Sequence, residues 1–156
     1  MDAQVAFVPR YEQPPRGAWQ IRIVTGARSS YFGGYHLSVD DHGDPYADVF
    51  DIPGEHTDLT LSHEVLEMLV NPYDDRYIRD YPFVWNLEVA DPVQTTYYTR
   101  DGVHLTDFVY PAWFCHLTND GVQLDFLKRV RTPGEVLHGG VAVRINYTTG
   151  EYERFH

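Results

Sequence analysis

The chain is poor in the features that hold or target a protein by covalent bonds, bulk charge or long apolar runs. It has a single cysteine, Cys115, so an internal disulfide is excluded and stability has to come from packing or a bound metal. Lysine and arginine number 12 against 23 acidic residues, a net charge of −11, and no basic run is present that could neutralise phosphates. Nucleic acid and anionic membrane surfaces are therefore not expected as partners. No stretch approaches the roughly 18 consecutive apolar residues of a membrane span. Residues 1–10 lack a basic segment followed by an apolar one of signal-peptide length. A soluble protein made in the cytoplasm is the expectation, with virion association left open.

Other chemistries are thinly represented. Gly33-Gly34 and Gly139-Gly140 lack the helix and lysine context of phosphate-binding loops. Cys115 stands between Phe114 and His116 without a Cys/His/Asn signature, and reads as a buried, inert thiol.

What is abundant is aromatic and β-branched residue. With 12 Tyr, 8 Phe and 3 Trp in 156 residues, the chain reads as one α+β domain over 1–156 with considerable strand content. Strands are expected over 4–8, 19–25, 35–39 and 46–52, the last two joined as a hairpin by the Asp/Gly-rich turn 40–45. Asp101-Gly102 marks a second hairpin and 139–155 a terminal one. The segment 85–93 reads as a short helical turn or irregular chain, and 121–130 as a short helix or strand.

Between these lies Thr60-Leu-Ser-His-Glu-Val-Leu-Glu-Met-Leu-Val70. Thr60 is a plausible N-cap and Pro72 stops the segment, so a helix is expected from 60 to about 71. At 100° per residue, Leu61, Val65, Leu66, Met68, Leu69 and Val70 share an apolar arc with Ser62, leaving only His63, Glu64 and Glu67 on the other side. An ordinary solvent face would be mixed with lysine and arginine. An imidazole and two carboxylates alone suggest a metal-facing surface.

His63-Glu64-Val65-Leu66-Glu67 is an HExxE pattern. Residues at i and i+4 have Cβ atoms about 6 Å apart on one helix face, so His63 and Glu67 can converge on one divalent cation. Glu64, about 100° round the helix, would stand beside the metal as a general base for the water it activates. This is the logic of HExxH zinc peptidases with the second histidine replaced. The bland alternative is a solvated helix face in a metal-free binding module. In thermolysin-like peptidases (gluzincins) a glutamate from a following segment completes the site and an aspartate shortly after it orients the first histidine. By that analogy Glu88 is the third ligand and Asp91 the partner of the His63 ring; the reverse, with Asp91 on the metal and Glu88 in support, stays open.

The likeness extends beyond the motif. Gly34-Tyr-His36, Gly43-Asp-Pro-Tyr46, Ser62 to Pro72, Glu88-Val-Ala-Asp-Pro-Val93 and Asp107-Phe-Val-Tyr-Pro-Ala-Trp-Phe114 resemble blocks of an actinobacterial and phage-encoded group of HExxE proteins. Asp125-Phe126 and Gly139-Gly140 resemble its closing blocks. The resemblance implies a zincin-like metallopeptidase with a mixed, mostly antiparallel sheet, acting on a peptide or protein substrate, often in phage or prophage context. It supplies no substrate identity. Ala90 stands where a cysteine is usual in the group, and Val141 where a tyrosine follows the glycine pair. In zincins a strand shortly before the active helix borders the substrate cleft and receives a peptide by strand addition; residues 48–52 are the best such strand here.

A neutral histidine and two carboxylates around a 2+ ion give a formally neutral site. Its Lewis acidity should be weaker than that of a two-histidine site, and peptide hydrolysis slower. Carboxylates also relax metal selectivity, leaving Mn²⁺ and Ca²⁺ open, although His63 and the spacing make one Zn²⁺ the first expectation. Tyr97, Tyr98, Tyr110 and His116 are weaker candidates for polarising a substrate carbonyl, since aromatic-rich strands more often fill a core. His36, His104 and His138 read as structural or surface residues, His36 somewhat raised by its place in a matched block. The rival to an enzyme is a phage structural or interaction protein on the same scaffold, stapled by the metal and without turnover.

Overall fold

The computed structural model describes residues 14–25, 33–115 and 121–156, together with Ala6, Val8, Pro9 and Glu12. The strand expected over 4–8 falls largely outside them. The protein is α+β, with one α-helix among the described residues and mostly antiparallel sheets. No helix among the described residues is long and apolar enough to cross a membrane.

Strands β1 (Gln20–Thr25), β2 (Gly34–Val39) and β3 (Pro45–Asp51) form a three-stranded sheet in the order β1-β3-β2. The β2–β3 hairpin is antiparallel, whereas β1 runs parallel to β3. Strand β3 thus has both edges paired. The expectation that residues 48–52 receive a substrate strand is corrected by this pairing, because the backbone groups that strand addition requires are already engaged. Asp48 is also occupied, accepting from Arg22 at 2.6 and 2.8 Å and from the Tyr35 hydroxyl at 2.7 Å.

The register of β2 slips by one residue. Tyr35 faces Asp48 and Ser38 faces Tyr46, so His36 and Leu37 together oppose Ala47. Such a bulge re-aims the side chain it carries, and the side chain here is His36.

Helix α1 (Thr57–Val70) packs on β2 and β3. It begins one turn before the expected cap: the Leu59 and Thr60 amides donate to the His56 carbonyl, placing Thr60 inside the helix. Its end is as expected, at Val70 before Asn71-Pro72. Its faces are not. Glu64 and Glu67 are buried at 3% exposure each, while Leu69 is 58% exposed. The arc holding the three polar residues points into the protein, and Leu66 and Val70 pack against the main core.

A second layer comprises β4 (Tyr77–Asp80), β5 (Phe83–Asn86), β8 (Ala142–Asn146) and β9 (Tyr152–Phe155) in one antiparallel sheet. The main core lies against it, built from Trp85, Val93, Val109, Trp113, Phe114 and Leu124 among others. Segment 121–130, expected as a short helix or strand, forms neither and makes one bridge, Val109 to Asp125. Asp125 substitutes for regular structure there by accepting the Arg129 and Val130 amides at 2.8 and 3.0 Å.

The hairpin β6 (Tyr97–Arg100) to β7 (Val103–Thr106) turns at Asp101 and Gly102, both at positive φ, as a tight hairpin demands. Strand β7 docks on α1 through two amides. The His104 N–H donates to Asp58 at 2.7 Å and the Thr106 N–H to the Ser62 hydroxyl at 2.8 Å. Two residues along a strand span nearly the same distance as one helical turn, so alternate amides of the strand edge meet side chains at i and i+4.

Candidate metal centre

Four elements bring ionisable side chains together at the middle of α1. The helix supplies His63, Glu64 and Glu67; the bulge of β2 supplies His36; the chain after β5 supplies Glu88; and a short 3₁₀ turn, Asp91–Val93, supplies Asp91. His63 Nε2 is 3.2 Å from Glu67 Oε2 and 3.4 Å from Asp91 Oδ1. His36 Nδ1 is 3.4 Å from Glu64 Oε2 and 3.3 Å from Glu67 Oε2, and its Nε2 is 3.5 Å from Glu88 Oε2. Of the three groups among the described residues whose donor atoms lie mutually within 4.8 Å, two are here: His63, Glu67 and Asp91, and His36, Glu67 and Glu88.

Local packing explains why these side chains point here. Gly34 lies where a Cβ would come 2.9 Å from Glu64 Oε1 and 2.8 Å from the Asp48 carbonyl, so the glycine makes room for the Glu64 carboxyl. Val89, Ala90 and Val93 are buried, anchoring the segment that offers Glu88 and Asp91. The Val89 carbonyl accepts the Val109 amide, and the Asp91 carbonyl accepts the Val141 amide at 3.0 Å. Gly140 closes on the same turn, and a Cβ there would collide with the Pro92 carbonyl oxygen. Glu88 Oε1 receives Asn86 Nδ2 at 3.3 Å, and the same amide reaches Asp74 at 3.0 Å.

The electrostatics are those of acids and imidazoles forced together. Burial lowers the His36 pKa, but hydrogen bonding and attraction to Glu64 and Glu67 outweigh it and hold the ring at about 9. His63 is likewise depressed by burial and lifted well above its usual value by Glu67 and Asp91. Glu67 is raised by burial yet pulled far below the usual range by the two imidazoles. Glu88 goes the other way: burial, the Glu67 charge and the nearby Asp74 push it up to about 11. Burial also raises Glu64 and Asp91, against the pull of His36 and His63 respectively.

Donor spacing is informative. Charge-assisted hydrogen bonds close to about 2.7–2.9 Å, as Arg22–Asp48 and His104–Asp58 do in this protein at 2.6 and 2.9 Å. The contacts at the centre of α1 stay at 3.2–3.5 Å. Ligands about 2.0–2.1 Å from a tetrahedral ion lie about 3.3 Å from one another. Among the described residues, His36 Nε2, Glu67 Oε1, Glu88 Oε2 and Asn86 Oδ1 are buried without a hydrogen-bond partner, joined elsewhere only by Asp107 Oδ2. Buried polar atoms are rarely left so, and these donors fit a divalent cation.

The structure brings His63, Glu67, Glu88 and Asp91 into one cluster, with Asp91 in the group containing His63 and Glu88 in the other. His36, expected as a structural or surface residue, is 3% exposed and stands inside the centre. A usable signal was present, since Gly34 and His36 stand two residues apart in one strand, on the same face, within a block that resembles the HExxE group. The aromatic candidates lie apart: Tyr97 packs on His56 and His104, Tyr98 on Phe126 and Tyr110 on Phe108. His116 lies outside the described residues, and Cys115 is free and half-buried. Comparison with known proteins finds no matching family model, no matching curated protein and no matching solved structure.

Proposed function

We propose that this protein is a zincin-like, metal-dependent hydrolase of peptide bonds, with His63 and Glu67 as ligands together with a carboxylate from the 88–91 segment, and with Glu64 as general base. The observation that supports it most is the set of buried donors held 3.2–3.5 Å apart with orphaned atoms facing one another. A divalent ion held there supplies Lewis acidity, polarising a carbonyl and acidifying a water at neutral pH.

The protein's own groups divide the remaining work. His63 and Glu67, one helical turn apart, orient toward a common point, and Asp91 Oδ1 meets the same His63 nitrogen that faces Glu67, at 3.4 Å. Glu64 belongs to neither ligand group. Its carboxyl is placed against His36 Nδ1 and the Gly34 backbone, where it can take a proton and pass it to a leaving amine. The His63 imidazole favours zinc, and the excess of carboxylates admits Mn²⁺.

Glu64→Gln should keep its metal and lose peptide hydrolysis by about 10²–10⁴-fold, measured on a broad peptide library. A second reading is favoured by the burial of Glu64, which limits a substrate's access to it: the metal staples a phage structural or interaction protein. Metal retention with wild type and Glu64→Gln equally inactive would establish that reading instead.

A further inference from the structure

We propose that the centre is built for two divalent cations bridged by Glu67, one held by His63, Glu67 and Asp91 and the other by His36, Glu67 and Glu88. The inference rests on the reading of this cluster as a metal site and extends it from one ion to two.

Three observations carry it. First, the donors form two groups that share only Glu67. Glu67 Oε2 stands between the two groups, 3.2 Å from His63 Nε2 and 3.3 Å from His36 Nδ1, and its Oε1 is buried and without a partner. A carboxylate offering one oxygen to each of two ions is a common bridge, and such ions stand about 3.5–4 Å apart. Second, the orphaned atoms of the second group come one from each member: His36 Nε2, Glu67 Oε1 and Glu88 Oε2. His36 is only 3% exposed, and its Nδ1 lies 3.4 Å from Glu64 Oε2 in a hydrogen bond that, with Nδ1 as donor, leaves a lone pair on Nε2 aimed toward Glu88. Asn86 steadies Glu88 from behind through Oε1, keeping Oε2 turned inward.

Third, the His36 Nε2–Glu88 Oε2 pair stays at 3.5 Å without a hydrogen bond, well beyond the about 2.7–2.9 Å at which a charge-assisted bond between them would close.

The test uses the full chain, stripped with chelator and refilled with Mn²⁺, with bound ion counted by equilibrium dialysis and spin coupling read by electron paramagnetic resonance. Two equivalents with an exchange-coupled spectrum are expected. Glu88→Gln should bind one, with an uncoupled spectrum and unchanged circular dichroism, while His104→Ala should keep two coupled ions. One equivalent in the wild type overturns the inference and leaves a mononuclear centre standing. Two uncoupled ions, one of them lost in His104→Ala, also overturn it, placing the second ion near His56, Asp58 and His104. No bound ion removes both this inference and the metal reading beneath it. The wild-type spectrum alone decides the matter should Glu88→Gln fail to fold.

Discussion

Helix α1 carries two clusters of histidine and carboxylate less than two turns apart, and they are built differently. At its start, His56, Asp58 and His104 form an exposed to half-buried group in which Asp58 is already saturated. It accepts the His104 amide at 2.7 Å and the ring Nδ1 at 2.9 Å, and its other oxygen takes the Leu59 amide at 3.0 Å. At the centre, the same residue types are buried, stay 3.2–3.5 Å apart and leave inward atoms unpaired. Donor identity therefore does not distinguish a structural cluster from a receptive one. Satisfaction does: a carboxylate that stitches a strand edge to a helix has its lone pairs committed, whereas one held by packing among other acids has them free.

The largest expected difference lies in the response to chelation. With free ion at 100 to 1,000 times its dissociation constant, removing it should lower wild-type stability by about 3–4 kcal/mol, or about 10 °C in melting temperature for a chain of this size. Glu67→Gln, which breaks both inner groups, should abolish that shift, and His104→Ala should preserve it. A chelator response lost in His104→Ala and kept in Glu67→Gln would invert the comparison.

A smaller effect is expected from Gly140→Ala, which touches neither cluster directly. The new Cβ must push the Pro92 carbonyl away, displacing the turn that presents Asp91. Metal affinity should fall about 10–100-fold, as for other groups that position ligands, with about 1–3 kcal/mol lost from overpacking. Calorimetric metal titration of the folded variant measures the first quantity. Unchanged affinity would remove Asp91 from the centre.

The smallest effect belongs to the outer cluster and appears only in acid. Asp58 is held down to about 2, first by the His104 amide and then by its ring and the Leu59 amide. Its folded pKa lies below its unfolded value, so its stabilisation is present above about pH 4 and is lost as the pH falls through about 2. The difference in urea midpoint between wild type and Asp58→Asn should be constant from pH 7 to 4 and vanish toward pH 2. Ion affinity at the inner centre should be the same in both.

The features legible in the sequence are those whose cause is local. Periodicity and Pro72 located the helix and its end, HExxE placed His63, Glu64 and Glu67 on one arc, and Asp101-Gly102 marked its hairpin. Glu88 and Asp91 were readable as a pair because only two residues separate them. The helix start was misplaced at Thr60, since Thr57 and Asp58 open it a turn earlier and hydroxyl residues recur along that stretch. Segment 121–130 could not be read, because its order comes from Asp125 accepting amides rather than from any repeating pattern.

What the sequence by itself determined is which side chains could act and that three of them share a helix face, because residues one turn apart are bound to meet. Only the tertiary structure decided that this face points inward, that β3 is covered on both edges, and that His36 enters the centre from a bulge 28 residues before Glu64. Each of these depends on which strand pairs with which and in what register, a choice made by contacts between distant segments. That choice also separates the two clusters on one helix, because Glu67 and Glu88 each keep a buried oxygen without a partner whereas both oxygens of Asp58 are engaged.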